Sequence, residues 1–213
     1  MTTPENTPPT TAVRRRRPRG IYPRAPASQP QQRERKLPVY LDQSEVNALS
    51  AAAPNPEARL LMLEQRRAGL RVSEALALEI ADLHMSSDRP TLTLRNGKGR
   101  VDREVPVHAE LQNALIAITS FGSDRQGRLI QVPRSTAWRW VQAALGRFVE
   151  AGQLPAGRKV GTHTLRPSYA RHLLLNGVPI NYLSDWLGHA DLETTLIYLK
   201  LVSDPAGTLA HVS

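Results

Sequence analysis

The sequence predicts a mainly α-helical domain that carries one small antiparallel β-hairpin, an α+β fold. Three observations predict it. Beyond residue 36 most of the chain divides into segments with apolar residues at helical spacing, each bounded by a cap, a proline or a glycine. A single segment, "TLTLRNGKGRVDREVPV", instead alternates polar and apolar residues on both sides of a tight turn. Finally, 40% hydrophobic content over 213 residues supplies a real core, with no run of eighteen apolar residues to span a membrane.

The elements follow in order. "LDQSEVNALSAAA" reads as a short helix capped by Asp42 or Ser44. "NPEARLLMLEQRRAG" has Asn55 as N-cap, Pro56 at the first helical position and Gly69 as terminator, and it is unusually polar at "EQRR". "RVSEALALEIADL" predicts a further helix filled by Val72, Ala75, Leu76 and Leu78 or Glu79. After the hairpin, "HAELQNALIAITS" returns to helical spacing, and "STAWRWVQAALGRFVEAG" is a longer amphipathic helix with Ser135 as cap and Gly152 as stop. "THTLRPSYARHLLLNG", "PINYLSDWLG" and "DLETTLIYLK" predict three short helices. In the first of these Thr164 is the expected cap, and Leu165, Tyr169, Ala170, Leu173 and Leu174 form the buried stripe. Tyr182 also reads as core, and Trp138, Trp140 and Trp186 as packing residues.

Charge is distributed unevenly. Residues 1–36 hold nine Lys/Arg against two Glu, a net of +7, whereas residues 37–213 hold nineteen against seventeen, a net of +2. The first stretch is rich in proline, glutamine and arginine with little to bury, so it reads as a disordered basic tail. Arg14, Arg15, Arg16, Arg17 and Arg19 could grip phosphates without sequence preference, and Arg100 in the hairpin is read with them as a DNA contact. Cysteine is absent, which excludes disulfides and cysteine-ligated metals and fits a reducing cytosol. No apolar stretch follows the N-terminal arginines as in a secretory signal.

The chemistry-bearing residues fall in four blocks. In "GLRVSEALAL", Arg71 precedes Glu74 by three places, a spacing that suits a helical ion pair or an arginine turned toward a phosphate. In "NGKGR", Lys98 sits between two glycines at the expected hairpin tip. In "HTLRPSYARHLL", His163 and Arg166 meet at a helix start, where first-turn amides and a guanidinium favour an anion. In "LGHADLETTLIY", His189 stands nine residues before Tyr198. His172 and Glu64 receive no role.

These four blocks, in this order over residues 40–200, closely resemble the tyrosine recombinases, the phage-integrase-type or lambda-integrase-type family. The resemblance implies the recombinase catalytic-domain fold over 37–213; most members place a core-binding domain before it, but here only the basic tail is expected before residue 37. It implies a clamp of Arg71, His163, Arg166 and His189 on the scissile phosphate, Lys98 as general acid, Glu74 in support and Tyr198 as nucleophile. This sequence departs from the family at Pro167-Ser168-Tyr169, where a histidine, a threonine and a phenylalanine are common. The implied activity is site-specific DNA strand exchange through a 3′-phosphotyrosyl intermediate, for integration, excision, inversion or resolution. A shortened DNA-binding accessory protein and a type IB topoisomerase-like relaxing enzyme are the rival readings. The link conserves the energy of the phosphodiester, so neither a metal nor another cofactor is expected. A zinc site built from His163, His172 and His189 would take two residues from the implied phosphate clamp. The implied partners are double-stranded DNA, three further copies on paired sites, and a partner recombinase or an accessory DNA-bending protein. The expected location is cytoplasmic and DNA-associated.

Overall fold

The computed structural model describes residues 37–95, 102–120, 127–154 and 159–202. The expected tail arginines, Lys98 and Arg100 lie outside the described residues. No helix among the described residues is long and apolar enough to cross a membrane.

The first helix, α1 (Gln43–Ala51), begins at Asp42. The Asp42 carboxylate accepts the Glu45 amide at 2.8 Å and Glu45 accepts the Asp42 amide at 2.9 Å, a reciprocal cap that decides between Asp42 and Ser44. In α2 (Pro56–Ala68), Asn55 caps the Ala58 amide at 2.7 Å, and Gly69 closes the helix in the left-handed conformation. Nine of the thirteen residues of α2 are buried, because α1 and later helices pack around it. Leu61 within it is fully buried, and its truncation to alanine should cost about 2–5 kcal/mol.

The expected helix over "RVSEALALEIADL" is much shorter, as α3 (Val72–Ala75). Beyond it the chain pairs with a distant loop. The Leu129 amide donates to the Leu78 carbonyl and the Ile80 amide to the Gly127 carbonyl, both at 3.0 Å. This long-range pairing overrides local helical preference. A 3-10 turn, Ile80–Asp82, leads into β1 (Leu83–His84), a two-residue strand too short to show a period in the sequence. The hairpin forms as β2 (Thr91–Leu94) and β3 (Arg103–Pro106), with Leu92 opposite Val105 and Leu94 opposite Arg103. The three strands form an antiparallel sheet in the order β1-β2-β3. Leu92, Leu94 and Val105 point into the core, as the alternation requires.

Among the described residues five helices follow: α4 (Ala109–Ser120), α5 (Arg134–Glu150), α6 (Leu165–Leu175), α7 (Ile180–Leu187) and α8 (Leu192–Leu196), with a 3-10 turn at Leu199–Leu201. Two caps differ from expectation. Pro133 precedes α5, which places Ser135 inside the first turn. Thr164 does not cap α6; its hydroxyl accepts the Gly161 amide at 3.0 Å and shapes the preceding turn.

Three apolar clusters hold these elements. The sheet packs with α2, α3 and α4, and α1 packs with α5 around Phe148 and Met62. Tyr169, Leu183, Leu187, Tyr198 and Leu201 gather α6, α7 and the last turn. Trp140 and Trp186 pack against the first cluster as expected. Trp138 does not; it is 53% exposed on α5. Tyr182 is also 53% exposed, lying against Trp186 with ring centroids 6.2 Å apart, so it is not core.

Candidate active site

The site begins where α2 stops. Gly69 has φ 65°, and a Cβ there would lie 2.5 Å from the Tyr169 ring, so only glycine lets α6 approach this closely. The tight turn sends the chain directly into Arg71, and it leaves the Gly69 carbonyl facing α6. Arg166, buried on the first turn of α6, donates one guanidinium nitrogen to that carbonyl and another to the carbonyl of Leu187 at the end of α7. Three segments thus converge on one guanidinium, whose orientation is fixed before any ligand arrives.

Glu74 organises the cations. Its carboxylate accepts the Arg71 amide and the Arg71 guanidinium, each at 2.7 Å, and the Arg103 guanidinium at 2.9 Å. Arg166 lies 3.7 Å from its other oxygen. Burial alone would raise the Glu74 pKa, but the Arg71 amide and the Arg103 charge outweigh it and hold the carboxyl below its ordinary value. Three guanidiniums around one carboxylate leave a net positive centre. Burial and the neighbouring Arg71 bring Arg166 down to about 10, which still leaves it charged at neutral pH.

Arg103 is the residue that sequence reading missed. It sits on β3, and its Nε donates to the Trp186 carbonyl at 3.0 Å while Nη2 holds Glu74. The guanidinium lies across Gly188, where a Cβ would come within 2.7 Å of its central carbon. Gly188 has φ 62° and ends α7. The sheet is thereby clipped to the turn that presents His189. The available signal was the charged position inside the alternating strand "REVP", which a surface reading absorbs.

His189 stands at the edge of this cluster. Its Nδ1 meets the Thr195 hydroxyl at 2.7 Å, Thr195 meets Ser184 at 3.0 Å, and Nε2 faces an Arg166 nitrogen at 3.3 Å. Burial first, then Arg166 and Arg71, press its pKa down to about 4, so the ring is neutral at pH 7. Arg166 can only donate, so Nε2 accepts, Nδ1 carries the proton, and Thr195 passes its own to Ser184. In the other tautomer, with the ring proton on Nε2, Nδ1 accepts from the Thr195 hydroxyl and Nε2 can donate to a bound oxyanion.

Tyr198 closes the site. It lies in the turn after α8, two residues beyond Leu196, and is 8% exposed. Its ring lies against His189 with centroids 6.1 Å apart. Burial raises its pKa, while the Arg166 charge and hydrogen bond pull in the other direction. Arg71, Glu74, Arg166, His189 and Tyr198 are therefore gathered in one place. His163 is set differently. The sequence put it beside Arg166 at the helix start, but Arg166 turns inward while His163 is exposed in the turn before α6. There it lines a cleft of about 450 Å³ with Arg134, Trp138 and Lys159. Gln65 of α2 fixes this turn by donating to the Thr162 carbonyl at 2.8 Å.

The site is thus a buried phenol beside a fixed guanidinium cluster, on a helical domain with one small sheet. The model of the phage integrase family matches residues 39–203, and the chain belongs to that family. The tyrosine recombinase XerA of Thermococcus kodakarensis is 36% identical over 189 residues, covering 85% of this chain and 65% of that protein. The crystal structure of a XerA recombinase is similar with a TM-score of 0.64 at 29% identity, covering 80% of this chain and 61% of that one. The catalytic domain of bacteriophage HP1 integrase is similar with a TM-score of 0.59 at 26% identity, covering 76% of this chain and 88% of that domain. The chain thus spans 65% of the length of its XerA relative.

Proposed function

We propose that the protein is a site-specific DNA recombinase that cuts and rejoins strands through a covalent tyrosyl link. The observation that carries this is the gathering of Arg71, Glu74, Arg166 and His189 around the Tyr198 phenol. Residues 37–213 act as the catalytic domain and residues 1–36 as a basic tail.

A phosphodiester entering the site replaces internal partners of the cations. Arg71, 35% exposed at its side chain, reaches one non-bridging oxygen, and Arg166 reaches the other from its fixed place. His189 adds a hydrogen bond as the tautomer with its proton on Nε2, with Thr195 donating to Nδ1, and His163 approaches from the cleft side. These donors gain strength as negative charge builds on the non-bridging oxygens in the transition state. The Tyr198 oxygen attacks phosphorus as its proton passes to solvent water, and the bond from phosphorus to the 5′-oxygen breaks. The 5′-oxygen takes a proton from Lys98 and leaves as a hydroxyl, a general-acid contribution of about 10²–10⁴ in rate. Attack by a 5′-hydroxyl from another strand reverses each step and restores the phenol. The sequence needs no metal or external energy source.

Exchange between two duplexes cuts four strands, so one nucleophile per strand calls for a homotetramer on paired sites. The partners are double-stranded DNA and, where site pairing needs bending, an accessory DNA-bending protein or partner recombinase. The location is the DNA-containing cytoplasm. Incubation with nicked suicide DNA, followed by a denaturing gel, should trap a protein–DNA adduct and release a free 5′-hydroxyl fragment. Binding without any adduct would favour the accessory-protein reading. Relaxation of supercoiled plasmid without exchange between two sites would favour the topoisomerase-like one.

A further inference from the structure

The polar stretch "EQRR" of α2 takes no direct part in this chemistry. Arg66 and Arg67 from it, with Arg59 about two turns earlier on the same helix, line a cavity of about 220 Å³ together with Asn47, Ser50 and Glu110. The cavity shares no residue with the cluster around Tyr198. Arg66 and Arg67 are 7% and 16% exposed at their side chains, and each bonds a different oxygen of Glu110, Arg67 at 2.8 Å. Arg66 also reaches the Asn47 side-chain oxygen at 3.3 Å, while its Nε is buried with no hydrogen-bond partner among the described residues.

The charges do not balance. Three arginines and one carboxylate line the cavity, a net of +2, and two of those arginines are largely withdrawn from water. Buried charge is costly unless it is paired, and Glu110 can compensate only one guanidinium. Burial first, with crowding by Arg67 and Arg59, pulls the Arg66 pKa down, and Arg67 also depresses nearby His108 and His172 after burial does so.

We infer that this cavity is a second oxyanion site, which takes a phosphate group or a tetrahedral dianion of the same shape. A dianion matches the excess charge, guanidinium forks pair with phosphate oxygens bidentately, and the volume holds one such ion with several waters at about 30 Å³ each. The inference stands whether or not the protein recombines DNA.

The test is the melting temperature of the full chain in sodium phosphate against sodium chloride at matched ionic strength. A ligand that binds only the folded state raises the midpoint. The midpoint should rise in wild type and in Arg71→Ala, which weakens any binding at the catalytic cluster. Arg67→Gln should lose the rise while remaining folded, because it leaves a balanced Arg66–Glu110 pair. Glu110→Gln should enlarge it, by removing the competing carboxylate. Isothermal titration of phosphate into folded wild type and Arg67→Gln gives the same comparison without melting. An equal phosphate response in wild type and Arg67→Gln, or no response in wild type, overturns the inference. Duplex binding then separates the two sources of phosphate. A salt slope smaller by about one in Arg67→Gln assigns the site to the DNA backbone, and an unchanged slope assigns it to the free ion.

Discussion

Replacing Glu64 by leucine should stabilise the protein. Glu64 is fully buried on α2, and neither carboxyl oxygen has a hydrogen-bond partner among the described residues. Burial raises its pKa well above the ordinary 4.5, so the folded state holds a proton that the unfolded chain releases. The contribution is fully favourable below the unfolded pKa. It declines as pH rises from there toward the raised folded value, because the folded state binds more protons across that window. An unpartnered buried polar group costs about 1–3 kcal/mol, and leucine removes it at similar volume. For a domain of this size each kcal/mol moves the midpoint by about 2–4 °C, so Glu64→Leu should melt about 2–12 °C higher at pH 8. Glu64→Gln keeps a polar amide in the same place but cannot ionise, so it should flatten the pH dependence while gaining less at its maximum. The assay is thermal melting of all three proteins from pH 5 to pH 8. Glu74 and Glu110, whose pKa values are lowered, tilt the curves in the opposite sense. The quantity to compare is therefore the difference between wild type and variant. That difference should widen with pH. A leucine variant less stable than wild type at pH 8, or a difference that does not change with pH, would refute the reasoning.

Three further outcomes follow from the site and the tail. Arg103→Ala frees the Trp186 carbonyl and one Glu74 contact; it should cost about 1–3 kcal/mol in stability and slow cleavage at least tenfold, with Arg103→Lys recovering only part of the rate. Equal rates in single-turnover cleavage would remove Arg103 from the positioning of the site. Thr195→Val should slow cleavage about tenfold without weakening DNA binding, because His189 loses the partner that sets its proton, and wild-type activity should show no titration of His189 near pH 6.5. Deleting residues 1–36 should flatten the dependence of log affinity on log salt by about five units if about six of its charges meet phosphates, with sequence preference unchanged in a binding titration on cognate and random duplexes.

The helices were legible because their ends are written in local chemistry. Asp42, Asn55-Pro56, Gly69 and Gly188 mark boundaries that need no tertiary information. The segment after Arg71 was not legible. Val72, Ala75 and Leu78 keep a helical rhythm, yet Leu78 and Ile80 bond to Gly127 and Leu129, about fifty residues away, and no local pattern encodes that partner. In the site, the residue types and their order pointed to Arg71, Glu74, Arg166, His189 and Tyr198, which the fold gathers. The inward turn of Arg166 away from His163 depends on two backbone carbonyls, at Gly69 and Leu187, and carbonyls leave no trace in a sequence. Arg103 escaped for a related reason, since its partners are a carbonyl, a distant carboxylate and a glycine with no side chain. Trp138 and Tyr182 show the limit of reading aromatic residues as core when helix faces are assigned from the sequence alone.

The central claim is that Tyr198 is the nucleophile. Its direct test is the trapped adduct itself, formed on nicked suicide DNA, digested and mapped by mass spectrometry in wild type and Tyr198→Phe. The phenylalanine ring can still pack against His189 and Leu201, so the variant should fold and bind DNA as wild type does. The account predicts that the nucleotide is attached to Tyr198 in wild type and that no adduct forms in Tyr198→Phe. An adduct that persists in the variant, or one that maps to another residue, would contradict it.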